Sequence, residues 1–375
     1  MELARFGVEE WLNRHEREAQ YDIAGVSIES LSLEELFQLT ATDSAAFFQN
    51  LAIKPQDYGW IEGSPAFKKS AAQLYRHLKA DNILQTNGAT GANWLVLYAL
   101  IEPGDHVISL YPTYQQLYDI PRSLGAEVEF WPIKEELGWL PSLDDLRQMI
   151  RPNTKIICLN NANNPTGAVM DADYLRELVA LARSCGAYIL ADEVYHSFGE
   201  EEPPAVADLY DRGISVNSLS KTYSLPGIRV GWIAAREQLI ERLKNYRDYT
   251  MISAGVFSDM VAVLALENRQ QLLDRNKKIV QTNLQILKDW VKHEKRASFI
   301  PPDWVSTAFV KLETKLPTEE FCLQLLRKYG VLVVPGSRFD LEGHVRIGYC
   351  CSAETLKEGL KRLSLCLSED EQSVS

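Results

Sequence analysis

Between about residue 80 and residue 235, short and almost wholly apolar runs alternate with longer amphipathic stretches. A strand with one face in water shows every second residue polar, so runs apolar throughout belong to a sheet covered on both sides. Runs at 83–86, 106–110, 127–131, 155–159, 187–191, 214–217 and 230–234 predict strands. Helical spacing falls at 89–101, 114–124 and 172–185, and again past the last strand at 237–246. Strands alternating with helices in this way predict an α/β fold, a mostly parallel doubly wound sheet. Gly125 and Gly186 follow two of the helices, where a residue without a Cβ stops the spiral.

The rest of the chain has a different texture. Residues 256–294 are almost free of Gly and Pro and carry apolar residues at helical spacing, which predicts one or two long connecting helices. Beyond them, strands at 307–313, 331–335 and 344–350 and helices at 317–329 and 353–367 predict a smaller α+β domain. The expected division is therefore an N-terminal segment 1–45, a large domain 46–255, a connecting region 256–294 and a small domain 295–375. The N-terminal segment, helical at 6–19 and 32–41, has no core of its own and is expected to pack on the small domain.

Composition narrows the function. A formal charge of −12 with dispersed basic residues argues against nucleic acid or an acidic membrane surface as partner. No apolar stretch is long enough to span a bilayer and the start lacks a signal-type core, so a soluble, cytoplasmic protein is expected. The six cysteines show no C-x-x-C spacing, in keeping with buried thiols in a reducing compartment. The six histidines are scattered, and no metal is assigned.

The chemistry gathers just beyond the strand ends, where open α/β sheets place ligands. Lys221 follows the run at 214–217, with Ser218, Ser220 and Arg229 nearby supplying hydroxyls and a guanidinium suited to a phosphate. A lysine amine can condense with an aldehyde, whereas a guanidinium cannot. An ordinary solvated lysine beside a Ser-rich turn is the competing reading, and three further motifs weigh against it. Thr86-Asn-Gly88-Ala89-Thr90-Gly91 joins a strand to a helix, with Gly88 permitting close backbone approach and the helix start offering free N–H groups. It has neither the P-loop nor the dinucleotide pattern. Asn160-Asn-Ala-Asn-Asn164-Pro165-Thr-Gly167 is either an ordinary turn or one that aims an amide at a ring hydroxyl, and Tyr111-Pro-Thr-Tyr114 offers an aromatic that either packs or lies on a cofactor ring. Leu190-Ala-Asp192-Glu193-Val-Tyr195 ends a strand on Asp192, a costly place for a carboxylate unless a cation such as a protonated pyridine nitrogen meets it.

N-N-P-T-G, A-D-E-V-Y and S-L-S-K-x-x-x-L-P-G-I-R-x-G, in this order, resemble the fold type I pyridoxal-phosphate enzymes, class I/II aminotransferases of the aspartate aminotransferase family. The resemblance spans essentially the whole chain. It implies pyridoxal 5'-phosphate as cofactor, Lys221 as Schiff-base lysine and proton shuttle, and Asp192 on the pyridine nitrogen. It further implies Tyr195 and Asn164 at the ring O3′ and Tyr114 stacked on the ring. The phosphate would lie on Gly88, Ala89 and Thr90 with Ser218, Ser220 and Arg229. Tyr58 matches a tyrosine that reaches the neighbouring subunit's phosphate, which implies an obligate homodimer with shared active sites. Arg346 matches the arginine that grips the substrate α-carboxylate, with Asn164 and Gly25 also on the substrate side.

Two departures stand out. The segment 22–28 replaces a Gly/Pro-containing substrate cover and has Gly25 but no proline. The segment Tyr249-Thr-Met-Ile-Ser before Ala254-Gly255, where dicarboxylate-specific relatives place a second arginine, holds none, which puts aspartate or glutamate in doubt as preferred amino donor. The resemblance implies a transaminase acting on an amino acid and a 2-oxo acid. C–S lyases and β/γ-replacement or cyclising synthases share the motifs, because the cofactor carries the common chemistry. A ligand-sensing regulator on this fold would need an appended basic DNA-binding region, and the sequence shows none.

Overall fold

The computed structural model describes residues 3–199 and 201–372. Its larger sheet has eight strands: β1 (Ile83–Thr86), β2 (His106–Tyr111), β3 (Glu127–Lys134), β4 (Leu140–Pro141), β5 (Thr154–Asn160), β6 (Tyr188–Asp192), β7 (Gly213–Ser218) and β8 (Gly231–Ala234). Their order across the sheet is β1-β8-β7-β6-β5-β2-β3-β4. From β7 through β3 neighbouring strands run parallel, β8 is antiparallel to both its neighbours, and β4 turns back along β3. The protein is thus an α/β chain built on a mostly parallel sheet, as the sequence predicts.

Both faces of this sheet are covered, as continuous apolar strands require. Leu84, Val107, Ile156, Cys158, Leu190, Ile214, Val216 and Ile233 pack against Leu95 and Val96 of the helix Gly88–Leu100 and Ile240 of the helix Glu237–Arg247. The alternate residues Ile108, Leu110, Ile157, Leu159, Ile189 and Ala191 meet Leu175 and Leu178 of the helix Ala172–Cys185. Asp171 caps that helix by accepting from the Tyr174 amide at 2.8 Å, and Gly186 ends it at φ 72°.

Register lines up the ends of the strands. Asn160 lies opposite Asp192, Asp192 opposite Val216, and Ser218 opposite Gly231, which also faces Thr86. The motif-bearing loops therefore leave the sheet along one edge, side by side.

A four-stranded antiparallel sheet forms from β9 (Ala297–Phe299), β10 (Ala308–Leu312), β11 (Val334–Pro335) and β12 (His344–Ile347), in the order β9-β10-β12-β11. The helices Arg269–His293, Thr318–Tyr329 and Ala353–Gln372 supply its apolar cover, including Val280, Leu284, Phe321, Leu325, Leu356 and Leu360.

Several expectations need amendment. The run at 331–335 is two short strands. Val331–Leu332 pairs with Tyr21–Asp22, whereas Val334–Pro335 joins β12. Between them the carbonyl of Val333 accepts from the Trp11 indole at 2.9 Å. The run at 344–350 leaves its sheet after Ile347, because the Gly348 amide donates to Ile23 O at 2.9 Å. The short helices Ser44–Ala52, Pro65–Ala72, Leu143–Met149 and Val206–Leu209 and the edge strand β4 were not expected.

The N-terminal segment also divides its packing, a correction to the expectation that all of 1–45 rests on the small domain. Val8, Trp11, Ile23 and Ile28 join the core around the four-stranded sheet, whereas Leu36 joins Phe67 and Trp232 beside the larger one. The division occurs where the Ile28 amide donates to Lys221 O at 3.2 Å and the Leu31 amide to Ser224 O at 2.9 Å, tying the segment to the loop beyond β7.

Candidate active site

A cavity of about 670 Å³ opens at the shared edge of the strands, between the two sheets. Lys221, Asp192, Tyr195, Asn164, Tyr114, Ala89, Thr90, Ser218, Ser220, Arg229, Arg346 and Gly25 all line it. Residues from several separate loops thus meet in one concave site.

The amide loop is held rigid from within. Asn163 Oδ1 accepts from the Thr166 amide at 3.2 Å and the Thr166 hydroxyl at 2.6 Å. Asn163 Nδ2 donates to Pro112 O at 3.2 Å and to Asn160 Oδ1 at 3.0 Å, and Thr113 donates to the same oxygen at 2.7 Å. These bonds join the turns beyond β2 and β5, so Asn164 and the Tyr111–Tyr114 turn are positioned together.

Asp192 ends β6 as a buried carboxylate. Burial raises its pKa from 3.8 to about 6, opposed by donation from Asn93 Nδ2 at 2.7 Å and from the Val194 amide at 3.3 Å. Lys221 shifts the other way. Burial, helped by the charge of Arg346, lowers its pKa from 10.5 to about 8, against the pull of Glu9 and Asp192. Among the described residues no cation forms an ion pair with Asp192 and no carboxylate pairs with Lys221.

Arg346 stands on β12 with 2% of its surface exposed. Its Nη1 donates to Asn164 Oδ1 at 3.1 Å and its Nη2 to Ala24 O at 3.2 Å, while Nε has no partner. The fork is therefore held by neutral oxygens that leave its charge open, the arrangement a carboxylate completes. Arg229 is similar. It takes φ 56° and donates from Nη1 to Pro226 O at 2.8 Å and to Ser220 Oγ at 3.5 Å, with no carboxylate paired to it among the described residues.

Gly88 explains how the cradle closes. It adopts φ +67°, and a Cβ there would sit 2.8 Å from Arg229 Nη2. The guanidinium thus lies directly against the start of the helix Gly88–Leu100, whose first N–H groups and positive end favour an anion. With Thr90, Ser218 and Ser220 beside it, this corner fits a phosphate. A buried carboxylate without a counter-cation fits a protonated ring nitrogen, and a lysine of lowered pKa fits an aldehyde partner. The residues present therefore fit pyridoxal phosphate in each of its functional parts.

Two site residues were not singled out from the sequence. Asn93, fully buried in the helix Gly88–Leu100, supports Asp192, and a polar amide on an apolar helical face is the only hint of it. Glu9, on the helix Gly7–His15, lines the cavity and accepts from the Tyr114 hydroxyl at 3.3 Å. Tyr58 is 64% exposed and does not line the cavity of its own chain.

Sheet order, loop placement and this set of open charges define a pyridoxal-phosphate enzyme. Residues 49–363 match the family described as aminotransferase class I and II, and the chain belongs to that family. It is 30% identical to a capreomycidine synthase from Streptomyces vinaceus, over 95% of this chain and 92% of that protein. It is 28% identical to an aspartate aminotransferase from Pyrococcus horikoshii, over 87% of this chain and 88% of that one. The crystal structure of a PLP-dependent aminotransferase from Streptococcus suis superposes with a TM-score of 0.97 at 63% identity, covering 99% of both chains. The cofactor is pyridoxal 5'-phosphate, and the protein is a transaminase-class enzyme. No helix among the described residues is long and apolar enough to cross a membrane.

Proposed function

We propose that this enzyme moves an amino group between an L-amino acid and a 2-oxo acid, with Lys221 as the point of covalent cofactor attachment and the carrier of the α-proton. The observation that carries this reading is the open charge in one cavity: Arg346 for a carboxylate, Arg229 for a phosphate and Asp192 for a ring cation, none paired within the described protein.

When bound, pyridoxal phosphate supplies an electron sink for the pair left as the substrate α-proton departs. The protein supplies binding, orientation and proton movement. Ala89, Thr90, Ser218, Ser220 and Arg229 would hold the phosphate, Tyr114 would face the ring, and Tyr195 and Asn164 would address O3′. Asp192 would keep a proton on the ring nitrogen, whose positive charge would offset the burial that raises this carboxylate's pKa to about 6. Arg346 orients the substrate through its α-carboxylate, with Gly25 and Asn164 close by. Lys221, its pKa lowered to about 8, reaches the neutral form far more readily than an ordinary lysine, and would take the α-proton and return it.

A second reading is a cyclising or β/γ-replacing synthase, or a C–S lyase, on the same scaffold. The 30% identical Streptomyces vinaceus relative is named a synthase, which favours keeping it, as does the altered cover segment around Gly25. A panel of amino acids separates the two. Keto-acid formation that depends on an added 2-oxo acid supports amino transfer, whereas ammonia release or a cyclised product without an acceptor supports the second reading.

We also infer a homodimer with shared active sites. Phe48, Ile53, Tyr58, Trp60, Tyr249 and Ile252 leave large apolar surfaces in water, and covering them with a second copy would bring Tyr58 to a neighbouring phosphate. The cysteines are free, which suits a cytoplasmic setting.

A further inference from the structure

We propose that Glu9 selects amino acids with a cationic side chain, acting as the receptor for the substrate's distal positive charge. The inference rests on the amino-acid-binding role assigned to this cavity above, and it names the substrate class.

The argument is one of charges and their partners. The cavity is lined by six charged side chains: Lys221, Arg229, Arg338, Arg346, Asp192 and Glu9. Arg229, Arg346, Asp192 and Lys221 are taken by the phosphate, the α-carboxylate, the ring nitrogen and the reacting carbon. Arg338 is already compensated, donating to Glu319 at 2.7 Å and to Glu10 at 3.4 Å, so it is a poor receptor for a side-chain carboxylate. Glu9 remains. Its carboxylate accepts from the Tyr114 hydroxyl at 3.3 Å, and no cation pairs with it among the described residues.

Its neighbour on the helix shows the contrast. Glu10 binds Arg5, Arg14 and Arg338 outside the reacting centre, whereas Glu9 turns toward the cavity. Its charge is felt deep inside, where it opposes the lowering of both Lys221 and Arg346. A carboxylate in a partly dry pocket, with no counter-cation of its own, favours a ligand that brings one.

The surroundings suit such a side chain along its length. Phe6, Val8 and Leu12, on or beside the same helix, line the cavity and offer apolar surface to a methylene stem. The Phe6 and Tyr114 rings meet at 5.0 Å beside the carboxylate, so an ammonium or guanidinium there would also face aromatic surface. A dicarboxylate substrate would meet repulsion from Glu9 at the same place.

The test uses carboxylates that lack the α-amino group and any other amine able to condense with an aldehyde: 5-guanidinopentanoate, hexanoate and adipate, titrated calorimetrically into the holoenzyme. The expected order has 5-guanidinopentanoate binding at least about tenfold tighter than hexanoate, with adipate weakest. Glu9→Gln should erase the difference between the first two, and Glu9→Asp should restore part of it. A wild-type preference for hexanoate or adipate, or a cationic preference that survives in Glu9→Gln, overturns the proposal. Keto-acid formation from L-lysine, L-norleucine and L-glutamate is scored in parallel. Binding selectivity without amino transfer would sink the transaminase reading and leave Glu9's role standing. Amino transfer without cationic selectivity would do the reverse.

Discussion

Asn93 Nδ2 donates to Asp192 Oδ2 across 2.7 Å, joining the helix Gly88–Leu100 to the carboxylate proposed to serve the ring nitrogen. The bond favours the ionised carboxylate against the burial that raises its pKa to about 6. A hydrogen bond to a charged group contributes about 1.5–3 kcal/mol, so removing it should move the pKa up by about one unit or more. Asn93→Leu, close in shape, should therefore shift the acid limb of the kcat/KM profile to higher pH. An unmoved profile would mean that Asn93 serves packing alone.

The raised pKa of Asp192 also makes a prediction for the cofactor-free protein. The folded state holds this proton to about pH 6, whereas the unfolded chain releases it near 3.8. Between those values folding binds protons, so stability falls as pH rises, by roughly 3 kcal/mol in all. Asp192→Asn should thus melt higher than the wild-type apoprotein at pH 8 and match it near pH 4. The same variant should bind pyridoxal phosphate more weakly. Calorimetry of both apoproteins at the two pH values checks the sign.

Lys221 should be the residue labelled when the yellow holoenzyme is reduced with borohydride, and Lys221→Ala should fold yet give no label. With its pKa lowered to about 8, the neutral amine grows scarcer below that value. Reattachment of cofactor to apoprotein should therefore quicken as pH rises toward about 8 and level off above it. A label on another lysine would refute the assignment.

Arg346→Lys keeps the charge but loses the fork that Asn164 and Ala24 hold in place. KM should rise at least roughly tenfold for every amino acid tested, from the loss of about 1.5–3 kcal/mol of charge-assisted bonding. Cofactor affinity should change little, since the phosphate corner is built elsewhere. Wild-type KM would show that the α-carboxylate is bound by another group.

Ile53 is 83% exposed, and Tyr58 and Trp60, close to it in the chain, are exposed as well. Ile53→Glu should weaken the dimer by placing a charge in a face meant for burial. Sedimentation should show dimers for the wild type and a shift toward monomer for the variant. An active wild-type monomer would remove the basis for shared sites.

Much of this architecture was legible in the sequence because it is local. Strands buried on both faces announce themselves as apolar runs, and the loops bearing Asn164, Asp192 and Lys221 follow directly from where those runs stop. Glu9 was not legible, since a glutamate on an amphipathic helix looks the same whether it faces water or a cavity. Its place depends on how the Gly7–His15 helix docks through Trp11, whose partner Val333 is far away in the chain. The break at 331–335 escaped for the same reason. Short elements such as Val206–Leu209 lack a full period of pattern and form because tertiary neighbours satisfy their ends, as Glu193 does in accepting from the Val206 amide at 2.9 Å.

The reversed strand β8 bears on how the protein takes up its cofactor. Gly231 stands in register with both Thr86 and Ser218, and a Cβ there would come within 2.5 Å of the Gly88 carbonyl carbon. One peptide thus fastens the helix start and the serine turn, two parts distant in sequence, at a fixed separation, and Arg229 precedes the same strand by two residues. The corner proposed for the phosphate therefore takes its spacing from a backbone ladder. Uptake then requires little ordering of the chain, and emptied protein should reload without refolding.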